Sequence, residues 1–485
     1  MHADAMPVIE WTHCISDIDR ACMALSLMHP TDRQFQLGLA PPMVYNRADI
    51  PPFLETHLMR TPLVSLALLA VLCSALTAAE PALDSAAIAE GKQLFVREWE
   101  AGKPASPGGD GLGPMFNARS CAACHKLGGI GGAGPNEDSN VRLLTVVPSS
   151  PHPSELADHK DALSKVHPSF VLGGKRLQTA FILHRFGTDR AYASFEKKCL
   201  EVYATGAPED WAIRVSQRNT PPVFGAGLID AITPEMLREQ VLTQQKDGRV
   251  TGRVGPGPKG PSGPVLGHFG WRGQTMSLKE FVLGACANEL GLEVPGHHQA
   301  ADPLHPDAKA SGLDMSQEQA EQLIAFVAAL PAPRREVPAD PEKAKAAERG
   351  YAAFNGLGCA DCHVQDVGAA QGIYSDLLLH DMGPGLADAV SAVSAKQYLL
   401  RREGEIDTYI NAGSALKVLQ QEWRTPPLWG ARDSGPYLHD GRAKSLKEAI
   451  LAHAGESILS AEKFAAFPAN EQEDVLGFLN TLVAP

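Results

Sequence analysis

The chain has 485 residues, 44% of them hydrophobic and 20% charged, with a formal charge of −13. That length exceeds one ordinary core, so two domains of typical size are expected. The acidic excess with no clustered basic face excludes nucleic acid as a partner, and 45 Gly with 37 Pro imply many turns and loops.

Residues 1–58 mix Pro, His and isolated apolar side chains with no sustained period of 2 or 3.6, and read as an upstream extension or a disordered leader. Met59 begins a different pattern. Arg60, an apolar run from Leu63 to Leu76, and the small residues Thr77, Ala78 and Ala79 before Glu80 make 59–79 a secretory signal, too short to span a bilayer comfortably. An exported, periplasmic protein with no stable membrane span after cleavage is the expectation.

Nine cysteines occur: Cys14, Cys22 and Cys73 lie in the leader region, and four of the rest form two copies of Cys-x-x-Cys-His, at 121–125 and 359–363. A histidine directly after the second cysteine is the attachment pattern of c-type haem. Thiols one helical turn apart reach two neighbouring vinyl groups, and the next residue turns its imidazole under the iron. A shared zinc site fails, because the pairs are far apart in sequence and the His follows at the wrong spacing. Two covalently bound haems are expected, at Cys121, Cys124 and His125 and at Cys359, Cys362 and His363. Cys199 and Cys286 either pair in an oxidising compartment or stay buried thiols.

The elements around the two motifs repeat. A helix over 83–101, with Ile88, Gly91, Leu94 and Phe95, precedes the first; one over 344–356, with Gly350 and Phe354, precedes the second. Arg218-Asn219-Thr220-Pro221-Pro222 answers Trp423-Arg424-Thr425-Pro426-Pro427, and Ser-Leu-Lys-Glu at 277–280 answers the same four residues at 445–448, each a capping box that starts a helix. Each half closes with a helix, capped by Ser316 and Gln319 in the first and by Asn470 and Glu473 in the second. The fold expected is mainly α: two cytochrome c-like helical haem domains in tandem, 80–335 and 336–485, with a break at the proline-rich residues 331–341. The first is enlarged by loop insertions, at 151–167 and at 254–264, where a loop or hairpin tip is expected.

Several segments resemble the di-haem oxidoreductase family, described as a peroxidase or thiol oxidoreductase-like family, within the superfamily of bacterial di-haem cytochrome c peroxidases and MauG-like proteins. They are Phe116-Asn117-Ala118-Arg119-Ser120-Cys121, the glycine run 128–134, residues 222–230, Phe269-Gly270-Trp271, residues 374–383, and Tyr437-Leu438-His439-Asp440-Gly441-Arg442. The resemblance implies an oxidoreductase of peroxidase type. Electrons from a small redox protein or another donor would enter at the C-terminal haem and reach an open N-terminal haem that takes peroxide or dioxygen. It also implies a calcium ion between the domains. A di-haem electron carrier without catalysis, and an enzyme oxidising an organic molecule or a partner protein, remain open readings.

The sixth iron position decides between them: filled by Met or His it passes electrons, left open it binds oxygen species. Met382, 19 residues past His363 and set amid Gly and Asp, is the expected sixth ligand of the second haem. His439 is a rival ligand, or bonds within a turn or to a propionate, and Arg442 suits a propionate bidentately. For the first haem the distal candidates are His184 and Arg185, a base and a positive charge for peroxide cleavage, followed by His152, His159 and His167. Adjacent residues point apart in regular structure, so at most one of His184 and Arg185 faces the iron. Trp271 and Trp429 either carry an electron between haems or pack in the core.

Overall fold

The computed structural model describes residues 84–149, 154–166, 171–172, 176–177, 180–202, 209–260, 263–388 and 420–485. The leader, the signal segment, His152 and His167 lie outside these residues. Twelve α-helices and only short strands are described, so the fold is mainly α, as expected.

In the first half, Asp84 caps the helix Ser85–Val96 by accepting from Ala86 N at 2.9 Å, and the helix stops at Arg97, which is extended. This is shorter than 83–101 at both ends. Its buried Gly91, Leu94 and Phe95 lie on the face expected, against the helix Gln317–Ala328. That second helix starts with a complete capping box, Ser316 Oγ accepting from Gln319 N while Gln319 Oε1 accepts from Ser316 N. The two backbones touch at Gly91, where a Cβ would stand 1.9 Å from the Gln322 carbonyl oxygen.

The second half repeats the arrangement. Asp340 caps Pro341–Gly356, accepting from Glu342 N and Lys343 N, with Pro341 at the position where a missing N–H costs nothing. This helix crosses Ala469–Leu479 at Gly350, where a Cβ would stand 1.8 Å from the Asp474 carbonyl oxygen. Asn470 is not the cap of that last helix. Pro468 occupies the cap position, so the helix begins before Asn470.

Neither Ser-Leu-Lys-Glu forms the reciprocal box. Ser277 and Ser445 cap as expected, accepting from Glu280 N and Glu448 N, but Glu280 pairs with His297 and Glu448 accepts instead from Lys444 N.

The enlargement of the first half is not only loop. Ala180–Ile182, Val141–Pro148 and Trp211–Arg218 form an antiparallel sheet in the order 180s, 141s, 211s, with Val141 opposite Arg218 and Leu143 opposite Ile182. Its inner face buries Leu144, Val146, Trp211 and Ile213 with Leu163, Leu183 and Cys199, a hydrophobic cluster separate from the main core. The stretch 151–167 supplies a helix, Lys160–Val166, that closes it. The expected hairpin at 254–264 is present as Gly255–Gly260 paired with Gly263–Gly267.

Residues Pro81–Pro485 form one unit by their contacts. The proline-rich stretch pairs with the C-terminus, Arg334–Arg335 against Leu482–Val483. The two Thr-Pro-Pro segments meet through Trp271, whose Nε1 donates to Asn219 O at 2.8 Å and whose carbonyl accepts from Arg424 N at 3.0 Å. Among the described residues no helix is long and apolar enough to cross a membrane.

Candidate haem sites

Both Cys-x-x-Cys-His segments fold into a single tight turn. His125 N donates to Cys121 O and His363 N to Cys359 O, each at 2.9 Å. Each imidazole is then held by a backbone carbonyl: His125 Nδ1 lies 3.1 Å from Gly132 O, and His363 Nδ1 lies 2.9 Å from Tyr374 O. A bond of this kind puts the proton on Nδ1 and leaves the Nε2 lone pair for a metal. Burial pushes both rings down to about 4, so both are neutral at physiological pH.

The aromatic surroundings repeat to within a few tenths of an ångström. Phe95 lies 6.2 Å from the His125 ring at 50°, and Phe354 lies 6.4 Å from the His363 ring at 51°. Phe95 meets Phe326 at 5.3 Å and 60°, and Phe354 meets Phe478 at 5.3 Å and 61°. These four phenylalanines belong to the glycine-crossed helix pairs, so the crossing places an aromatic wall beside each histidine.

In front of His363 lies a cavity of about 560 Å³, lined by Cys359, Cys362, His363, Met382 and His453 at one end and by His268, Trp271, Arg424, Trp429 and His439 elsewhere. A haem in it needs apolar walls and partners for two carboxylates. The lining supplies both: Arg424 Nη1 and His268 Nε2 are buried without a hydrogen-bond partner, and Arg424 is fixed by Nε donating to Gly270 O at 2.8 Å. The residues therefore fit the group. Arg442 does not line this cavity. Its guanidinium is exposed and held by Asp440 Oδ2 and Gly385 O, each at 2.7 Å, because an acidic residue stands two positions before it.

Met382 lines the cavity, its Sδ 3.9 Å from Ser457 Oγ. His439 is buried with its ring stacked on Trp423, 3.6 Å between centres and 10° between planes, and the Arg272 guanidinium lies 3.9 Å from the Trp423 ring. Trp429 is both core and cavity wall.

Beneath the second attachment turn, buried His380 is held by Asp376 at Nε2 and by Glu456 at Nδ1, both at 2.9 Å, with Cys362 Sγ 3.7 Å away. Among the described residues, Cys362, Asp376 and His380 are the group close enough to bind a metal, but one carboxylate does not meet calcium's need for six to eight oxygens. The cluster's evident work is to brace the turn that carries Cys362.

At the first turn the structure separates the paired candidates. His184 is buried, its Nε2 2.7 Å from Asn288 O, and its Nδ1 has no partner. Arg185 turns the other way, to the carbonyls of Glu137 and Asn140 and to Asp138 at 3.7 Å. The two side chains are thus kept apart, in the non-strand stretch between Ala180–Ile182 and Phe186–Gly187. His159 lies in the sheet insertion, 2.5 Å from Ser154 Oγ.

Beside the first turn, one group missed by sequence reasoning is Glu289. It ends the helix Leu278–Glu289 next to Asn288 and accepts from Asn117 Nδ2 at 2.7 Å; after burial, its charge is what pushes the Cys124 thiol up, against the opposing pull of Arg185. Burial pushes its carboxyl up to about 7. Cys286, three residues earlier on that helix, lies beside Cys121, whereas Cys199 sits in the sheet cluster, so the two are free thiols and not a disulfide.

A raised carboxyl favours the folded state at low pH, and that contribution fades as pH climbs from about 4.5 through about 7. Glu289→Gln should therefore match the parent's denaturant midpoint at pH 5 and exceed it at pH 8. Equal midpoints at both pH values would show that the carboxyl is not perturbed.

Residues 410–482 match the model of a family described as "Di-haem oxidoreductase, putative peroxidase". The methylamine utilization protein MauG of Methylorubrum extorquens is 31% identical over 145 residues, 28% of this chain and 35% of that protein, so the match spans about a third of that relative's length. Among solved structures, the diheme peroxidase BthA of Burkholderia thailandensis is 13% identical with a TM-score of 0.35, over 83% of this chain and 86% of that one. Hydrazine synthase of Kuenenia stuttgartiensis is 19% identical with a TM-score of 0.32, over 55% and 73%.

Proposed function

We propose that this chain, a member of the di-haem oxidoreductase family, carries one covalently bound c-type haem in each of two tandem domains, 80–335 and 336–485, and works in the periplasm as an oxidoreductase of peroxidase type. The observation that carries the reading is the repetition around His125 and His363: the same turn, an Nδ1 held by a carbonyl, and the same two-phenylalanine wall. Electrons would enter at the C-terminal site from a small redox protein and be used at the N-terminal site, with peroxide as oxidant. The export pattern at 59–79 supports the location, and an acidic surface suits a basic donor.

Haem supplies one-electron redox chemistry and, where its iron keeps an open position, binding of oxygen species. The chain's residues do the rest. The cysteine pairs fix each group covalently, and Gly132 O and Tyr374 O keep each ring nitrogen in the tautomer that ligates. Arg424 and His268 offer donors to propionates in the second site. At the first, the helix Leu278–Glu289 fixes neutral His184 through Asn288 O and holds Asn117 through the Glu289 carboxylate.

The test is steady-state turnover of the loaded protein with peroxide and with dioxygen, together with a cyanide titration. Peroxide turnover, with one high-spin iron that binds cyanide, is expected. Two low-spin irons that ignore cyanide and no turnover with either oxidant would leave an electron carrier instead.

A further inference from the structure

We infer that His453 is the second axial ligand of the C-terminal haem, on the opposite side from His363. The inference rests on the proposed attachment of that haem at Cys359, Cys362 and His363. His453 and His363 line the same cavity, with ring centres 6.4 Å apart and planes inclined by 54°. With metal–nitrogen bonds of about 2 Å, and each nitrogen about 1.1 Å from its ring centre, two imidazoles on one metal have centres roughly 6 Å apart. The observed spacing is that of a shared ligand pair.

The tautomers agree as well. His453 Nδ1 lies 2.7 Å from Ala449 O, as His363 Nδ1 lies 2.9 Å from Tyr374 O, so each ring keeps its proton on the outer nitrogen and has Nε2 for the iron. Burial holds His453 below its ordinary range, in the neutral form that ligates. Its position is also fixed. Ser445 caps the helix Leu446–Leu451 just before it, and the 3₁₀ turn Gly455–Ser457 follows directly.

Met382 is the competing ligand. It lines the cavity, but what the structure gives its sulfur is the long contact from Ser457 Oγ, and a polarizable thioether there also serves as packing against a ring. Two imidazoles give a lower reduction potential than His with Met, and a closed second iron directs oxidant to the first.

The experiment uses the loaded full chain and compares the parent with His453→Leu, His453→Met and Met382→Leu by ferric EPR, visible and near-infrared absorption, and haemochrome counting. For the parent, a bis-imidazole low-spin signal is expected, without the charge-transfer absorption of a thioether on ferric haem. His453→Leu should abolish that signal, His453→Met should introduce the charge-transfer band and raise one potential, and Met382→Leu should change neither. A charge-transfer band in the parent that disappears in Met382→Leu, with His453→Leu unchanged, overturns the assignment while leaving two haems in place. A parent that loses no haem when Cys359 and Cys362 are both replaced by Ser would overturn the attachment itself, and this inference with it.

Discussion

Gly350→Ala is expected to destabilise the loaded protein by about 3 kcal/mol or more, although alanine is the better helix former by about 1 kcal/mol. The reason is the 1.8 Å approach that a Cβ would make to Asp474 O, which is backbone and cannot rotate away. The helices Pro341–Gly356 and Ala469–Leu479 would have to separate, and with them Phe354 and Phe478, the wall beside His363. Gly91→Ala should behave alike against Gln322 O. Gly477, on the last helix with no atom within 4 Å of its hypothetical Cβ, is the control: there alanine should stabilise by roughly 0.5–1 kcal/mol. Denaturant unfolding of the three variants decides it. Equal, small effects at all three positions would mean that the helices do not cross at these glycines.

Cys359→Ser with Cys362→Ser is expected to do more, removing the order of the second half altogether. Without the group, a cavity of about 560 Å³ loses the contacts of its apolar wall and leaves Arg424 Nη1 and His268 Nε2 to water. The helices around it then lose the filler they pack on, and the half is expected to open. The variant should keep one haem by haemochrome count, lose helical circular dichroism, and be cut by protease within 336–485 while the parent resists. Full helicity with one haem would show that the second domain folds without its cofactor.

What could be read in the chain beforehand was what is local. The two attachment motifs, the helices that flank them and the caps at Ser277, Ser316 and Ser445 each depend on residues a few positions apart, and the structure forms them. Tyr437 to Arg442, which carried part of the family resemblance, falls within the stretch that matches the family, and Gly270 and Trp271, which carried another part, hold Arg424 at the cavity. The small sheet was overlooked although Trp211, Ile213 and Val215 alternate in a period of 2. Its strands are separated in sequence by the helices Lys160–Val166 and Tyr192–Val202, and their pairing is entirely long-range.

The site residues that escaped notice share that cause. Arg424 was visible only as part of a repeated Thr-Pro-Pro segment, Glu289 only as the polar end of an apolar helix, and His453 only as a histidine after a short one. Nothing in their neighbours reveals that the fold brings them to a haem-sized cavity, to Cys124 or to His363. Arg442 is the opposite case: its motif is conspicuous, and what the fold gives its guanidinium is Asp440, two residues away.

The central claim, two covalent haems on one chain, is tested most directly by intact mass spectrometry of the exported protein after denaturation and acid–acetone extraction. A mass equal to the polypeptide plus two haems is predicted, falling by one haem when either cysteine pair is replaced. A polypeptide mass with one haem or none, from cells that attach c-type haem competently, would contradict the account.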